Sequence, residues 1–576
     1  MVRKQIAHNG RYENKQINEF MKKQLLLLVS LIIGVQIFAQ VSPNKYWVQF
    51  TDKNDSPYST ENPEEFLSER AIQRRIKQGI LIDEKDIPVN PDYVQAVRDI
   101  GVDIIYTTKW FNSAIIFTTN SSLIAQIEAL SFVKTVSKLQ GSKKSTVKKE
   151  FFSNEKYIPK ADSRLPSGKY ATSYDYGSAY AQINLVNGIP LHEAGFDGSG
   201  MMIGILDAGF LNVNINHAFD SLWANNQILG TRDFVNPGGD VFQEHYHGAM
   251  VLSTIGANLP GQMVGTAPKA DFWLIRTEDG DTEYLIEELN WVAGAEFADS
   301  VGVDVINTSL GYSEFDDPVQ NHTYDDMDGN TTPISIGADI AASRGMLCVN
   351  SAGNSGSSPW YYITAPADAD SICTVGAVDN YGTIAEFSSH GPTSDGQVKP
   401  DVCATGSGTT IIDPWSGVVS FGSGTSFSSP ITAGMAACLW QSHPSSTNME
   451  VLQAMRESAD KYDTPDASYG YGIPDYEVAM GTLTKIEEKN FHNTNFLVYP
   501  NPVQKDLYIS TNDTGIKMQS LAIYDFEGKR LYHHDKNMTL RPLVPYHFAL
   551  IDLPPGIFYI QILTNKGYFS KKIVRY

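Results

Sequence analysis

The stretch M-M-I-G-I-L-D, residues 201 to 207, is a nearly unbroken apolar run that ends in an acid. A run this short with no polar alternation reads as a strand buried on both faces, as in a parallel sheet covered by helices above and below. Similar runs follow at D-F-W-L-I-R-T (271–277), V-D-V-I-N-T-S-L-G (303–311), M-L-C-V-N-S-A-G (346–353) and S-I-C-T-V-G-A-V (371–378). Helical patterns fall between them at 283–300 and 335–345. Strands alternating with helices predict a doubly wound α/β domain over 172–482, where sites gather at the carboxyl ends of strands. Asp207 stands at such an end.

Outward from this domain the pattern changes on both sides. Residues 45–139 read in the order β-α-β-β-α-β, a ferredoxin-like α+β unit, with a charged amphipathic helix over 62–79 and a Ser-capped helix over S-S-L-I-A-Q-I-E-A-L (121–130). We assign 41–140 to this unit and the lysine-rich, aperiodic stretch 141–171 to a linker. Beyond a second linker at 483–494, residues 495–576 alternate apolar and polar side chains between turn signals, which predicts a small antiparallel β-sandwich.

Met21, Lys22 and Lys23 open a basic segment followed by an apolar run and Ala39. This reads as an export signal over 21–40, with Met21 as the translation start, and the run is short for a membrane span. Acidic residues outnumber basic ones, 65 to 44, giving a net charge of −21. That balance argues against nucleic acid or an anionic membrane as a partner. Cys348, Cys373, Cys403 and Cys438 lack the close pairing of a zinc or redox motif and read as buried thiols, with a disulfide as the lesser alternative.

Chemistry concentrates at F-G-S-G-T-S-F-S-S-P, residues 421–430, a glycine-lined turn that places Ser426 in the first turn of a helix. There the partial positive charge and unpaired N–H groups favour an alkoxide and an adjacent oxyanion. An alcohol also needs a base, and the base an orienting carboxylate. His247, in H-Y-H-G-A-M-V (245–251), begins a helix, and Asp207 closes its strand. The chain order is Asp, His, Ser, with gaps of 40 (247 minus 207) and 179 (426 minus 247). Asn354, at the end of V-N-S-A-G-N, offers an amide to an oxyanion.

These motifs, D-A-G at 207–209, H-G-A-M-V at 247–251, S-A-G-N at 351–354 and G-T-S-F-S-S-P at 424–430, resemble those of the subtilisin family of serine endopeptidases; G-T-A-P-K-A (265–270) and S-L-G (309–311) extend the match. The resemblance implies Ser426 as nucleophile, His247 as general base, Asp207 as its orienting carboxylate and Asn354 in the oxyanion hole. It also implies a substrate wall formed by Ser309, Leu310 and Gly311 on one side and Ser351, Ala352 and Gly353 on the other. No cofactor is required for such catalysis. Structural calcium is expected at most weakly, at Asp325, Asp326, Asp328 and Asn330 of Y-D-D-M-D-G-N. The chain departs from the family at Ala208, where a hydroxyl residue is usual, and at Ala249, where threonine is usual.

The N-terminal unit resembles subtilisin propeptides, which implies an intramolecular inhibitor removed by cutting at the linker. The C-terminal L-V-Y-P-N-P (497–502), L-P-P-G-I-F-Y-I (553–560) and K-K-I-V-R-Y (571–576) resemble the sorting domain read by type IX secretion machinery. That implies a bacterial protein secreted, or displayed on the surface, after periplasmic passage, acting on polypeptide substrates. Two rivals remain at this level. A lipase or esterase expects G-x-S-x-G and the order Ser, acid, His, neither of which occurs around Ser426. A non-catalytic peptide-binding or adhesive protein on the protease fold is the alternative that Ala208 keeps open.

Overall fold

The computed structural model describes residues 44–139, 156–158, 174–490, 496–524, 530–549, 553–565 and 567–575. The export signal expected at 21–40 and most of the linker expected at 141–171 lie outside these residues.

The N-terminal unit is a four-stranded antiparallel sheet of β1 (Lys45–Phe50), β2 (Asp103–Thr108), β3 (Ser113–Phe117) and β4 (Val133–Lys138), in the order β2-β3-β1-β4. The ferredoxin-like expectation holds for the sheet, but the helix that covers it differs. The amphipathic stretch at 62–79 narrows to α1 (Glu69–Gln78), capped by the Ser68 side chain and ended by Gly79 in left-handed backbone, φ 70°. The sheet is covered instead by α2 (Pro91–Asp99), opened by the Asn90 side chain and Pro91, whose Val97 is fully buried with Ile116 and Ile127. Helix α2 is additional to the elements expected from the sequence. Helix α1 faces away from the sheet and buries Arg74 and Arg75 against the central domain, so its charge marks an interface.

The central domain carries seven parallel strands: β5 (Met202–Asp207), β6 (Ile228–Asp233), β7 (Asp271–Arg276), β8 (Val305–Thr308), β9 (Leu347–Ser351), β10 (Cys373–Val378) and β11 (Val402–Thr405). Their order is β11-β10-β9-β8-β5-β7-β6. Strands β6 and β11 close the two edges, and neither was expected. I-L-G-T-R-D is half exposed and polar, as an edge permits, and V-C-A-T is too short to read as a run. The chain moves to one side of β5 for β6 and β7 and to the other for β8 onward. Asp207 therefore ends the strand at which the winding reverses, where a crevice opens. The flanking helices include α3 (His247–Gly256), α4 (Ile286–Val301), α5 (Pro333–Ser343) and α6 (Thr425–Ser442). All four cysteines are free and buried. A last helix, Tyr476–Asn490, runs on through the stretch read as the start of a linker at 483.

The C-terminal domain is an antiparallel sandwich. One sheet joins Phe496–Tyr499, Asp506–Thr511 and Tyr546–Ala549; the other joins Arg530–Thr539, Lys517–Tyr524, Gly556–Thr564 and Gly567–Arg575. Leu507, Ile509, Leu521, Ile523, Ile560 and Ile562 are fully buried between them.

Helix α4 holds the N-terminal unit by charge. Asp299 accepts from Arg74 (2.5 Å), from Arg75 at both oxygens (2.8 Å each) and from Lys109 (3.0 Å). Burial opposes ionisation of Asp299, but Arg75, Lys109 and Arg74 outweigh it and keep the carboxyl below its usual range. One turn earlier, Glu296 accepts the backbone N–H groups of Lys109 (2.7 Å) and Trp110 (2.9 Å). Burial raises the Glu296 carboxyl to about 7, against the pull of Lys109 and Lys53 and of those two N–H groups. A carboxyl raised above its unfolded value contributes stability that is complete below the unfolded pKa and is lost as pH rises through the folded one. The thermal midpoint of the full chain should therefore fall as pH rises from about 4.5 to about 7. Glu296→Gln should flatten this slope in a pH series of calorimetric scans; an unchanged slope would remove Glu296 as its source.

Candidate active site

Asp207 sits at the carboxyl end of β5, with its backbone oxygen accepting from Thr277 N (3.0 Å) just past β7. His247 Nδ1 lies 2.8 Å from Asp207 Oδ1 and 2.9 Å from Oδ2, and both residues are fully buried. A ring nitrogen placed between two carboxylate oxygens carries its proton there, which leaves Nε2 as the basic atom. Ala208 lacks the hydroxyl usual at its position, yet its backbone N–H donates to Asp207 Oδ1 at 2.7 Å. Glycine at 248 permits the approach: a Cβ there would lie 2.5 Å from Gly209 O and 3.0 Å from the Asp207 Cβ.

Ser426 occupies the first turn of α6, as expected, and its Oγ is buried with no hydrogen bond among the described residues. The start of α6 is packed on the start of α3 through Phe427, which clusters with Met250 and Ile411. The Phe427 ring lies 6.2 Å from that of His247. Pro430 has no N–H to give to Ser426 O, the acceptor one turn back. That carbonyl accepts instead from Ser309 Oγ at 2.9 Å. Asn307 Nδ2 donates to Ser309 Oγ (3.2 Å), and Ser429 Oγ donates to Asn307 Oδ1 (2.9 Å), so the end of β8 is laced to the helix. Asn354 Oδ1 accepts from Thr425 N (2.8 Å) and Thr425 Oγ1 (3.0 Å), which turns its Nδ2 to the opposite side.

The six residues expected to form the substrate wall do meet around these strand ends. Ser309, Leu310, Ser351, Ala352 and Gly353 are buried and Gly311 is half-buried. Leu310 O accepts from Asn350 Nδ2 (3.5 Å) and Ser351 Oγ (3.4 Å), which joins the two walls. The acidic loop weighed for calcium does not gather its carboxylates. Asp326 accepts from Thr323 N and Oγ1, while Asp328 accepts from Asn330 N and Thr331 Oγ1. Among the described residues, the carboxylates that converge within 4.8 Å are those of Glu278, Glu283 and Glu287, with Tyr312 donating to Glu278. The run E-D-G-D-T-E directly after β7 was the available signal for this cluster. Arg276 was also passed over. It pairs with Asp233 and Glu244 (3.2 Å each) and donates to Ala208 O (3.0 Å), fixing the segment that follows Asp207.

Comparison with known proteins matches each of the three parts of the chain to a family. Residues 198–472 match the model of the Subtilase family, 45–154 that of the Peptidase S8 propeptide domain of Bacteroidota, and 497–575 that of the Secretion system C-terminal sorting domain. Subtilisin E of Bacillus subtilis (strain 168) is 30% identical over 317 residues, covering 54% of this chain and 72% of that protein. The chain belongs to the subtilase family. Serine protease AprX of Bacillus subtilis (strain 168) is 29% identical over 309 residues, 49% of this chain and 66% of that protein. Subtilisin BL of Lederbergia lenta is 29% identical over 299 residues, 52% of this chain and 97% of that protein. This subtilase is a serine endopeptidase that carries a propeptide and a type IX sorting domain, and it is secreted or held at the cell surface. Among the described residues, no helix is long and apolar enough to cross a membrane.

The hydroxyl that replaces the missing helix bond is open to test. Ser309→Ala leaves the buried Ser426 carbonyl without its donor, a loss of about 1–3 kcal/mol. Urea unfolding should show this as a lower midpoint with an unchanged slope.

Proposed function

We propose that this subtilase cleaves peptide bonds through Ser426, His247 and Asp207. His247 Nε2 takes the Ser426 proton as Oγ attacks the scissile carbonyl, then returns it to the departing amine; water repeats the sequence to free the acyl group. Asp207 holds the ring in the tautomer with Nδ1 protonated and stabilises the imidazolium that forms. The Nδ2 of Asn354 and the backbone N–H of Ser426, at the positive end of α6, receive the oxyanion. The nucleophile, the base and the proton transfers are all supplied by these side chains and water, and no cofactor enters. The observation that carries this reading is the double contact of His247 Nδ1 with Asp207 in a helix whose start packs on the turn bearing Ser426.

We infer further that an extended polypeptide adds as a strand along Ser309 to Gly311, and that the N-terminal unit inhibits the enzyme until the chain is cut in the linker. Two contacts, one just before that linker and one within it, support this. Leu139 is buried with Tyr284, Ile286 and Leu289, and its carbonyl accepts from Gln320 Nε2 (2.7 Å). Lys156–Ile158 pairs antiparallel with Phe421–Ser423, immediately before the turn that carries Ser426. The chain thus grips the domain on both sides of residues 140–155.

A serine-directed phosphonate should label the processed enzyme at Ser426, and inertness combined with peptide binding would replace the enzyme by a binder. Ser426→Ala should accumulate full-length precursor. Asn354→Ala should process, but with kcat lower by about 10²–10³ and KM little changed.

A further inference from the structure

The geometry points to the propeptide as the docking platform of the sorting domain, with Leu543 as the anchor, so that loss of the propeptide frees the sorting domain from the enzyme body. Leu543 stands in left-handed backbone, φ 63°, where a leucine Cβ crowds the neighbouring carbonyl and glycine or asparagine is the ordinary choice. A residue kept in such a conformation needs surroundings that hold it there. Its backbone N–H donates to Thr511 O (2.9 Å), which ties the turn to its own domain. Its side chain goes elsewhere. Leu543 is 1% exposed and clusters with Leu67, Ala71 and Ile82, all of the propeptide, apart from the sandwich core.

Neighbouring contacts extend the same surface. Arg541 Nη1 donates to Glu61 O (3.2 Å), and Gly79 lies so near Asn512 that a Cβ would stand 3.1 Å from its Nδ2. Beside these contacts a cavity of about 370 Å³ lies where the three domains meet, lined by Gly79, Ile80, Leu81 and Asp83 of the propeptide, Ser343 and Arg344 of the peptidase domain, and Leu497, Val498 and Tyr499 of the sorting domain. Helix α1 thus has two occupied faces. Arg74 and Arg75 enter the peptidase domain, while Ala71 receives the sorting domain. When the propeptide departs it removes the apolar seat of Leu543, while the chain that follows the helix Tyr476–Asn490 still links the sorting domain to the enzyme. This release rests on the maturation reading above; the docking does not.

The test uses the full chain carrying Ser426→Ala, so that it stays uncut. Leu543→Asn keeps the turn, since asparagine accepts left-handed backbone, and removes the apolar anchor. Hydrogen exchange over residues 67–82 should rise roughly tenfold, and exchange over 506–511 should stay unchanged. Unchanged exchange over 67–82 overturns the docking. In the chain with Ser426 intact, exchange over 540–546 should reach the level of the Leu543→Asn variant once the propeptide has left. A processed chain whose 540–546 segment remains as protected as in the precursor overturns the release. A chain that never processes counts against the maturation reading and against the release built on it, while the Ser426→Ala pair still decides the docking.

Discussion

The placement of one imidazole between two carboxylate oxygens organises the centre of this subtilase. The contact is possible because β5 lies between β7 and β8, so that its terminal Asp207 faces a crevice instead of a neighbouring strand's connection. It also needs a helix that begins at His247 with glycine behind it, since any side chain at 248 would strike Gly209. The serine arrives from a third direction, on a helix whose third residue, Phe427, packs with Met250 and Ile411. Packing in one apolar cluster therefore sets the distance between groups that are remote in sequence, and the chemistry follows from that packing.

Electrostatics dominate a different part of the molecule. The propeptide meets α4 through buried charges, three cations converging on Asp299 and two backbone N–H groups on Glu296. Such groups are costly to bury alone and become tolerable only together, which makes the interface specific to its partner more than strongly adhesive. The acids on α4 belong to the peptidase domain and the bases to the propeptide, so neither half of the interface is complete without the other.

Much of this was legible in the sequence. Uninterrupted apolar runs identified five of the seven parallel strands, and the Asp, His and Ser stood at strand and helix ends where a reader would look for them. What escaped notice was governed by tertiary context. The edge strand Ile228–Asp233 alternates with polar residues because one side faces water, and Val402–Thr405 is too brief to show a period. Helix α1 was seen as amphipathic, but nothing local to Arg74 reveals that it is buried, because its carboxylate partner Asp299 lies more than two hundred residues away; Arg75 shares that partner and adds the nearby, equally buried Asp86. Glu278, Glu283 and Glu287 appear dispersed until a helix start folds them together. The Ser309 hydroxyl, written among residues read as substrate wall, serves the backbone of residue 426.

That last hydroxyl has a mechanical consequence. A proline inside α6 has cut one rung from the helical ladder at Ser426, and the gap is bridged by the Ser309 hydroxyl just past β8. Rigidity at position 426 is thus borrowed from the very strand along which a peptide would lie. If a polypeptide pairs there as proposed, its pressure would be transmitted through a single oxygen to the backbone that carries the Ser426 hydroxyl, so that gripping a chain and setting that hydroxyl become one motion.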